Sequence, residues 1–224
     1  MEAKMTTRYL RIDGADWRNI WVVGDLHGCH TLLLRKLDEI GFDTAQDLLL
    51  SVGDLIDRGK ENVECLALLT QPWFRAVSGN HEQFLLDHLQ SGDNGDEWHC
   101  NGGYWFFDLS NADREKITAL LPLISALPLV IEVQTNGRTI VICHADYPAS
   151  HYAFGQPVDA DSVIWSRERI EASQQGFCQE ITGAEMFIFG HTPVQTPLHV
   201  ANQHYIDTGA VVTGNLTLLQ IQEG

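Results

Sequence analysis

Short apolar runs alternate along the chain with polar blocks that begin at a glycine. Ile20-Trp21-Val22-Val23 halts at Gly24, Leu48-Leu49-Leu50-Ser51-Val52 halts at Gly53, and Trp73-Phe74-Arg75-Ala76-Val77 stops just short of Gly79. Runs this short and this continuously apolar predict strands buried on both faces. Each is followed by apolar residues at helical spacing: Leu33, Leu37 and Ile40 before Gly41, then Val63, Leu66 and Ala67, then a helix starting near His81. Three successive strand-loop-helix units predict parallel strands, and open α/β sheets carry their sites at the carboxyl ends of such strands.

The rhythm then changes. Ser91 to Gly103 is glycine-rich and polar and reads as a mobile loop, and Ile117, Leu120, Leu121 and Ile124 mark an amphipathic helix ended by Pro128 at the latest. Strands follow at Leu129 to Val133, Thr139 to Cys143, Met186 to Phe189, His204 to Ile206 and Leu216 to Ile221, with Asn136-Gly137 as a hairpin turn between the first two. The second half is therefore expected to form a second, more antiparallel sheet packed on the first. Two stretches interrupt it, Ala145 to Asp161 and Glu168 to Gly183. Tyr147, Tyr152 and Phe154 in the first either roof a site or pack as ordinary loop aromatics. With no internal repeat, low-complexity tract or linker, residues 1–224 read as one domain.

Composition narrows the partners. The 44% hydrophobic content of 224 residues suffices for a large core. Fourteen Lys and Arg against 30 Asp and Glu give a formal charge of -16 with no basic run, which argues against nucleic acid. Five scattered cysteines without a Cys-x-x-Cys pair point to reduced thiols in the cytoplasm and away from a thiolate metal site. Met1 to Arg18 holds no signal-peptide apolar stretch and no later segment reaches membrane-span length, so a soluble, unexported protein is expected.

The chemistry lies in five polar blocks: Gly24-Asp25-Leu26-His27-Gly28, Gly53-Asp54-Leu55-Ile56-Asp57-Arg58-Gly59, Gly79-Asn80-His81-Glu82, His144 behind a strand, and Gly190-His191-Thr192. Any one of them alone is an ordinary turn or a core histidine. All of them in order at strand ends describe one shared site. Asp25, His27, Asp54, Asn80, His144 and His191 are hard oxygen and borderline nitrogen donors suited to manganese, iron or zinc. Six donors exceed one tetrahedral ion, whereas two ions bridged by a shared carboxylate accommodate them, and Asp54 is the natural bridge.

The series Gly-Asp-x-His-Gly, Gly-Asp-x-x-Asp-Arg-Gly, Gly-Asn-His-Glu, a later His and Gly-His resembles the metal-dependent phosphoprotein phosphatases of the calcineurin-like superfamily. His144-Ala145-Asp146-Tyr147-Pro148, Trp165-Ser166-Arg167 and Ile206-Asp207-Thr208-Gly209-Ala210 are most similar to the phage lambda type and enterobacterial serine/threonine phosphatases, and the match runs from about Ile20 to Gln222. Eukaryotic members carry glycines where Ala145 and Asp146 stand here.

The resemblance implies a calcineurin-like fold, two packed mixed β-sheets flanked by helices. It implies one ion on Asp25, His27 and Asp54 and a second on Asp54, Asn80, His144 and His191, Mn2+ first, with Fe or Zn as alternatives. Hydrolysis would proceed by attack of a metal-bridging hydroxide on phosphoserine or phosphothreonine, with phosphotyrosine open. His81 would stay off the metal and protonate the leaving oxygen with Asp57 orienting it, while Arg58 and Arg167 clamp the phosphate. Glu82, Asp146, Asp207 and Thr192 either orient the ligand histidines or fill surface and turn roles, and Asp207-Thr208-Gly209 also reads as a tight turn leaving a strand. Phosphorylated proteins are the implied partners of a monomer. Two rivals stand beside this reading: a symmetrical dinucleoside tetraphosphate hydrolase and a non-catalytic metal-binding module. The first typically lacks the aspartate at Asp57 and ends its third motif in Asp rather than Glu82, and the second would be missing an acid or arginine position.

Overall fold

The computed structural model describes residues 8–92 and 95–224. In chain order its elements are β1 (Tyr9–Asp13), β2 (Ile20–Val23), α1 (His30–Glu39), β3 (Leu48–Ser51), α2 (Asn62–Ala67), β4 (Phe74–Ala76) and α3 (Asn80–Ser91). There follow α4 (Gly95–Trp98), α5 (Tyr104–Phe107), α6 (Asn111–Ser125), β5 (Val130–Thr135), β6 (Arg138–Ile142), α7 (Ala160–Trp165) and α8 (Glu168–Gln174). The chain closes with β7 (Met186–Phe189), β8 (Leu198–Val200), β9 (Gln203–Tyr205), α9 (Ala210–Thr213) and β10 (Leu218–Gln222).

Two mixed sheets result. The first has the order β10-β2-β3-β4, with β2, β3 and β4 parallel as predicted and β10 antiparallel at the edge. The second has the order β1-β5-β6-β7-β9-β8. It is less antiparallel than expected: only the β5–β6 and β8–β9 pairs are, while β1–β5, β6–β7 and β7–β9 run parallel. The reason is the connections, since β6 reaches β7 through α7 and α8, and a crossover of that length returns a strand parallel.

Strands β2, β3 and β7 are almost wholly apolar because each sheet is covered on both sides. Ile20, Val22, Leu48 and Leu50 project between the sheets and meet Ile131, Val133, Ile140 and Ile142. The alternate residues Val23 and Leu49 face the helical layer with Leu33, Leu37, Leu66 and Ile117. On the far side of the second sheet, Val141, Phe187 and Phe189 lie under Val163, Ile164 and Ile170. At about 1.5 to 3 kcal/mol for each large side chain buried, these layers hold the strand ends, and hence the site, in fixed register.

Three details depart from the sequence reading. Ser91 to Gly103 is not simply a loop: outside residues 93 and 94, which lie beyond the described residues, it forms α4 and a kinked helical stretch bent at Gly102 (φ 109°). Trp98 in that stretch is fully buried against His88 and Phe106, and this aromatic packing overrides the polar composition. Tyr147 and Tyr152 belong to the core beside Phe187, which settles them as packing residues, and Phe154 lies across Tyr9 and Arg11. Glu168 to Gly183, read as an interruption, contains α8. Among the described residues no helix is long and apolar enough to cross a membrane.

Candidate metal centre

Every predicted donor sits where a strand ends. Asp25 and His27 follow β2, Asp54 follows β3, Asn80 opens α3 just beyond β4, His144 follows β6 and His191 follows β7. The loops are tied pairwise: the His27 N–H donates to Asp54 O at 2.9 Å, and the Gly190 N–H to His144 O at 2.8 Å. His27, Asp54, Asp57, Arg58 and His191 all adopt left-handed φ, between 42° and 75°. Such conformations cost energy for residues with a side chain and persist where the surroundings over-determine them, so the strain is concentrated in these loops. Gly79 and Gly190 are required by close approach, because a Cβ on either would strike the carboxylate of Asp54 or Asp25 respectively.

The buried donors converge into two sets around one carboxylate. Asp54 Oδ1 lies 3.3 Å from His144 Nε2, while Asp54 Oδ2 lies 3.7 Å from His27 Nε2 and 3.8 Å from His81 Nε2. Ligand atoms of His27, Asp54 and His81 form one cluster within 4.8 Å, and those of Asp54, His144 and His191 form another. Asn80 Oδ1 stands 2.9 Å from both His144 Nε2 and His191 Nδ1. Asp25 is turned toward the His191 main chain, its two oxygens 3.2 and 3.1 Å from that N–H.

The imidazoles are aimed by main-chain carbonyls. His27 Nδ1 donates to Ile56 O at 2.8 Å and His144 Nδ1 to Val52 O at 2.7 Å, which leaves both Nε2 lone pairs facing inward. Of the two roles open to Glu82, Asp146, Asp207 and Thr192, orienting the rings of His27 and His144 is not the one they take. Glu82 instead accepts the main-chain N–H groups of Asp54, Gly79 and Leu55 at 2.8 to 2.9 Å and so locks two site loops together. Asp146 pairs with Arg169 at 2.7 Å, Asp207 accepts the Gly209 N–H at 2.8 Å, and the Thr192 N–H donates to Gly190 O at 2.7 Å.

Charge explains what such a pocket is built to hold. Burial and the neighbouring Asp207 push Asp25 well above the ordinary carboxylate range, and burial with the Asp54 charge takes Glu82 up to about 7. Burial opposes protonation of His144, yet the charges of Asp54 and Asp25 drive it up to about 10. His27 and His191 are both lowered to about 3, by burial first, and Arg167 contributes to the second. Lone pairs of Asp54 and Asn80 thus crowd a dry space that demands positive charge, and divalent cations with oxygen and nitrogen preference meet that demand. The donor set fits two such ions.

Around these donors stand the other predicted residues. His81 Nδ1 lies 2.6 Å from Asp57 Oδ2, as the orienting role requires. Arg58 places one guanidinium nitrogen 2.6 Å from His27 Nε2 and another 3.0 Å from His81 Nε2, so it competes with a cation for the first lone pair. Arg167 is exposed at the start of α8. Two residues escaped the sequence reading: Trp98 Nε1 donates to Asp57 Oδ2 at 2.7 Å and Trp105 Nε1 to Asp57 Oδ1 at 2.6 Å. Their signal was a pair of tryptophans flanking Asn101-Gly102-Gly103, each with an N–H that needs an acceptor when buried.

Comparison with known proteins agrees with this geometry. A family model described as calcineurin-like phosphoesterase matches residues 18–195. The chain is 49% identical over 215 residues to serine/threonine-protein phosphatase 2 of Salmonella typhimurium, covering 96% of this chain and 98% of that protein. It is 50% identical over 214 residues to serine/threonine-protein phosphatase 1 of the same organism, covering 96% and 97%. A solved structure provisionally described as a diadenosine tetraphosphatase superposes with a TM-score of 0.72 at 20% identity, over 96% of this chain and 94% of that one, a likeness of fold.

Proposed function

The chain belongs to the calcineurin-like phosphoesterase family, and on that premise we propose that it removes phosphate from phosphoserine and phosphothreonine in proteins with two divalent ions. The observation that carries the choice over the dinucleoside tetraphosphate alternative is the Asp57–His81 hydrogen bond of 2.6 Å, because Asp57 is the aspartate that alternative typically lacks. The non-catalytic alternative is disfavoured because the acid pair and Arg58 all stand beside the donors.

Asp25, His27 and Asp54 would hold one ion and Asp54, Asn80, His144 and His191 the other, with Asp54 presenting one oxygen to each set. When bound, the ions would polarise phosphoryl oxygens and bring the pKa of a coordinated water toward neutrality. Mn2+ is our first choice. Arg58 and Arg167 would grip the phosphate, the planar guanidinium fork matching its oxygens. His81, protonated on both nitrogens, would give its Nε2 proton to the departing serine or threonine oxygen while Asp57 holds Nδ1–H. We further read residues 1–224 as a single domain and a monomer in a reducing, cytoplasmic setting, in keeping with five free cysteines.

The test is a phosphopeptide panel run beside dinucleoside tetraphosphate on Mn2+-loaded protein. Phosphoserine and phosphothreonine peptides are expected to exceed the dinucleotide in kcat/KM by roughly tenfold or more, a difference of about 1.4 kcal/mol in transition-state stabilisation. The opposite ranking would replace the proposal with the nucleotide reading.

The proton-donor role has its own test. His81→Asn is expected to retain both ions while lowering kcat on a phosphoserine peptide by roughly 10²- to 10⁴-fold. On p-nitrophenyl phosphate, whose leaving group departs unaided, the loss is smaller. Equal losses on the two substrates would remove the role, and loss of an ion would make His81 a ligand, the position its cluster with His27 and Asp54 would also allow.

A further inference from the structure

The Asp57 carboxylate is held by more than the histidine it orients. His81 Nδ1 and Trp98 Nε1 both donate to Oδ2, at 2.6 and 2.7 Å, and Trp105 Nε1 donates to Oδ1 at 2.6 Å. The same segment grips the next residue. Gly102 O accepts the Arg58 N–H at 3.0 Å, and the Tyr104 hydroxyl donates to Arg58 O at 3.1 Å. The approach is close enough that a Cβ on Gly102 would stand 2.6 Å from Arg58 Cγ and 2.8 Å from Arg58 N. Four contacts from residues 98–105 thus converge on Asp57 and Arg58, although this segment belongs to none of the five motif blocks.

We propose that Trp98 and Trp105 are positioning residues for proton donation: their indole N–H groups fix the Asp57 carboxylate in the one orientation that holds His81 on the leaving oxygen. The inference deepens the proposed function and rests on its reading of His81. A carboxylate turns easily about its terminal torsion, which has broad, roughly two-fold wells, so a single bond to an imidazole leaves it free to swing. Donors on both oxygens remove that freedom. Trp98 is fully buried and Asp57 entirely so, and a buried N–H facing a carboxylate makes a short, charge-assisted bond that exposed water cannot replace. The N–H of each indole is what reaches the carboxylate.

Trp98→Phe and Trp105→Phe keep a six-membered aromatic ring and remove the five-membered ring that carries the N–H donor, which leaves a void at fully buried Trp98 and a smaller change at half-buried Trp105. Each is expected to lower kcat on a phosphoserine peptide by roughly 10- to 100-fold, the scale of a misplaced catalytic group, while p-nitrophenyl phosphate turnover changes much less, KM and bound metal hold, and Tm falls for Trp98→Phe more than for Trp105→Phe. In an Asp57→Asn background the same substitutions should add little, since both act through one carboxylate. Independently of activity, the indole N–H resonances of both tryptophans should shift in the Asp57→Asn protein. Equal losses on both substrates, or full additivity with Asp57→Asn, would overturn the proposal. Should Trp98→Phe fail to fold, Trp105→Phe, at a half-buried position, carries the test with the resonance measurement. Equal losses for His81→Asn would overturn the proton-donor reading and this inference with it. A leaving-group-dependent loss for His81→Asn beside equal losses for the Phe variants would overturn this inference alone.

Discussion

Asp54→Asn is expected to lower turnover of a phosphoserine peptide by roughly a thousandfold or more and to release at least one of two bound ions. The substitution changes almost no volume. It removes the one negative charge that both donor sets face, since Oδ1 lies 3.3 Å from His144 Nε2 and Oδ2 lies 3.7 Å from His27 Nε2. An amide also puts an N–H₂ on one of those sides, where it can only donate, and a donor repels a cation. The carboxylate is buried to within 2% of full occlusion, so solvent cannot substitute for the lost charge. Elemental analysis of dialysed protein together with kcat measures both effects. Two tightly bound ions with unchanged turnover would show that Asp54 is not the bridge.

Much of this was legible in the chain. The three strand-loop-helix units were read correctly because a strand covered on both faces has a continuous apolar run, as Leu48–Ser51 does, and the run's end at a glycine marked where donors appear. The convergence of Asp25, His27, Asp54, Asn80, His144 and His191 at strand ends was legible for the same reason, each lying just past such a run. Strands with mixed character were missed: β1, Tyr9–Asp13, carries Arg11 and Asp13, and β8, Leu198–Val200, spans three residues around His199. Their strand character comes from partners across the sheet, which a linear pattern does not contain. The same limit put the strand expected at Leu216 to Ile221 with the second sheet, whereas the strand there, Leu218–Gln222, pairs with β2 in the first.

At the candidate site, which side chains meet was legible and how they are oriented was not. Nothing in the sequence announces that Val52 O and Ile56 O aim the imidazoles of His144 and His27, because a main-chain carbonyl carries no residue label. Glu82 looked like a partner for a histidine and proved to be a tie between two loops, a role set by the left-handed turn at Asp54 that turns N–H groups toward it. The segment around Trp98 and Trp105 was obscured by its glycines, which read as looseness, although Gly102 lies close against Arg58 and Gly103 against Trp98.

The dependence of turnover on bound ions is tested most directly in metal-stripped protein to which Mn2+ is returned in steps while phosphate release from a phosphoserine peptide is followed. Removal of the ions takes away the activation of water on which the proposed chemistry depends, a contribution of several kcal/mol that corresponds to roughly three orders of magnitude in rate. The predicted result is negligible turnover after chelation and recovery that saturates as two ions bind per chain. Full turnover in protein shown by elemental analysis to hold no metal would contradict it.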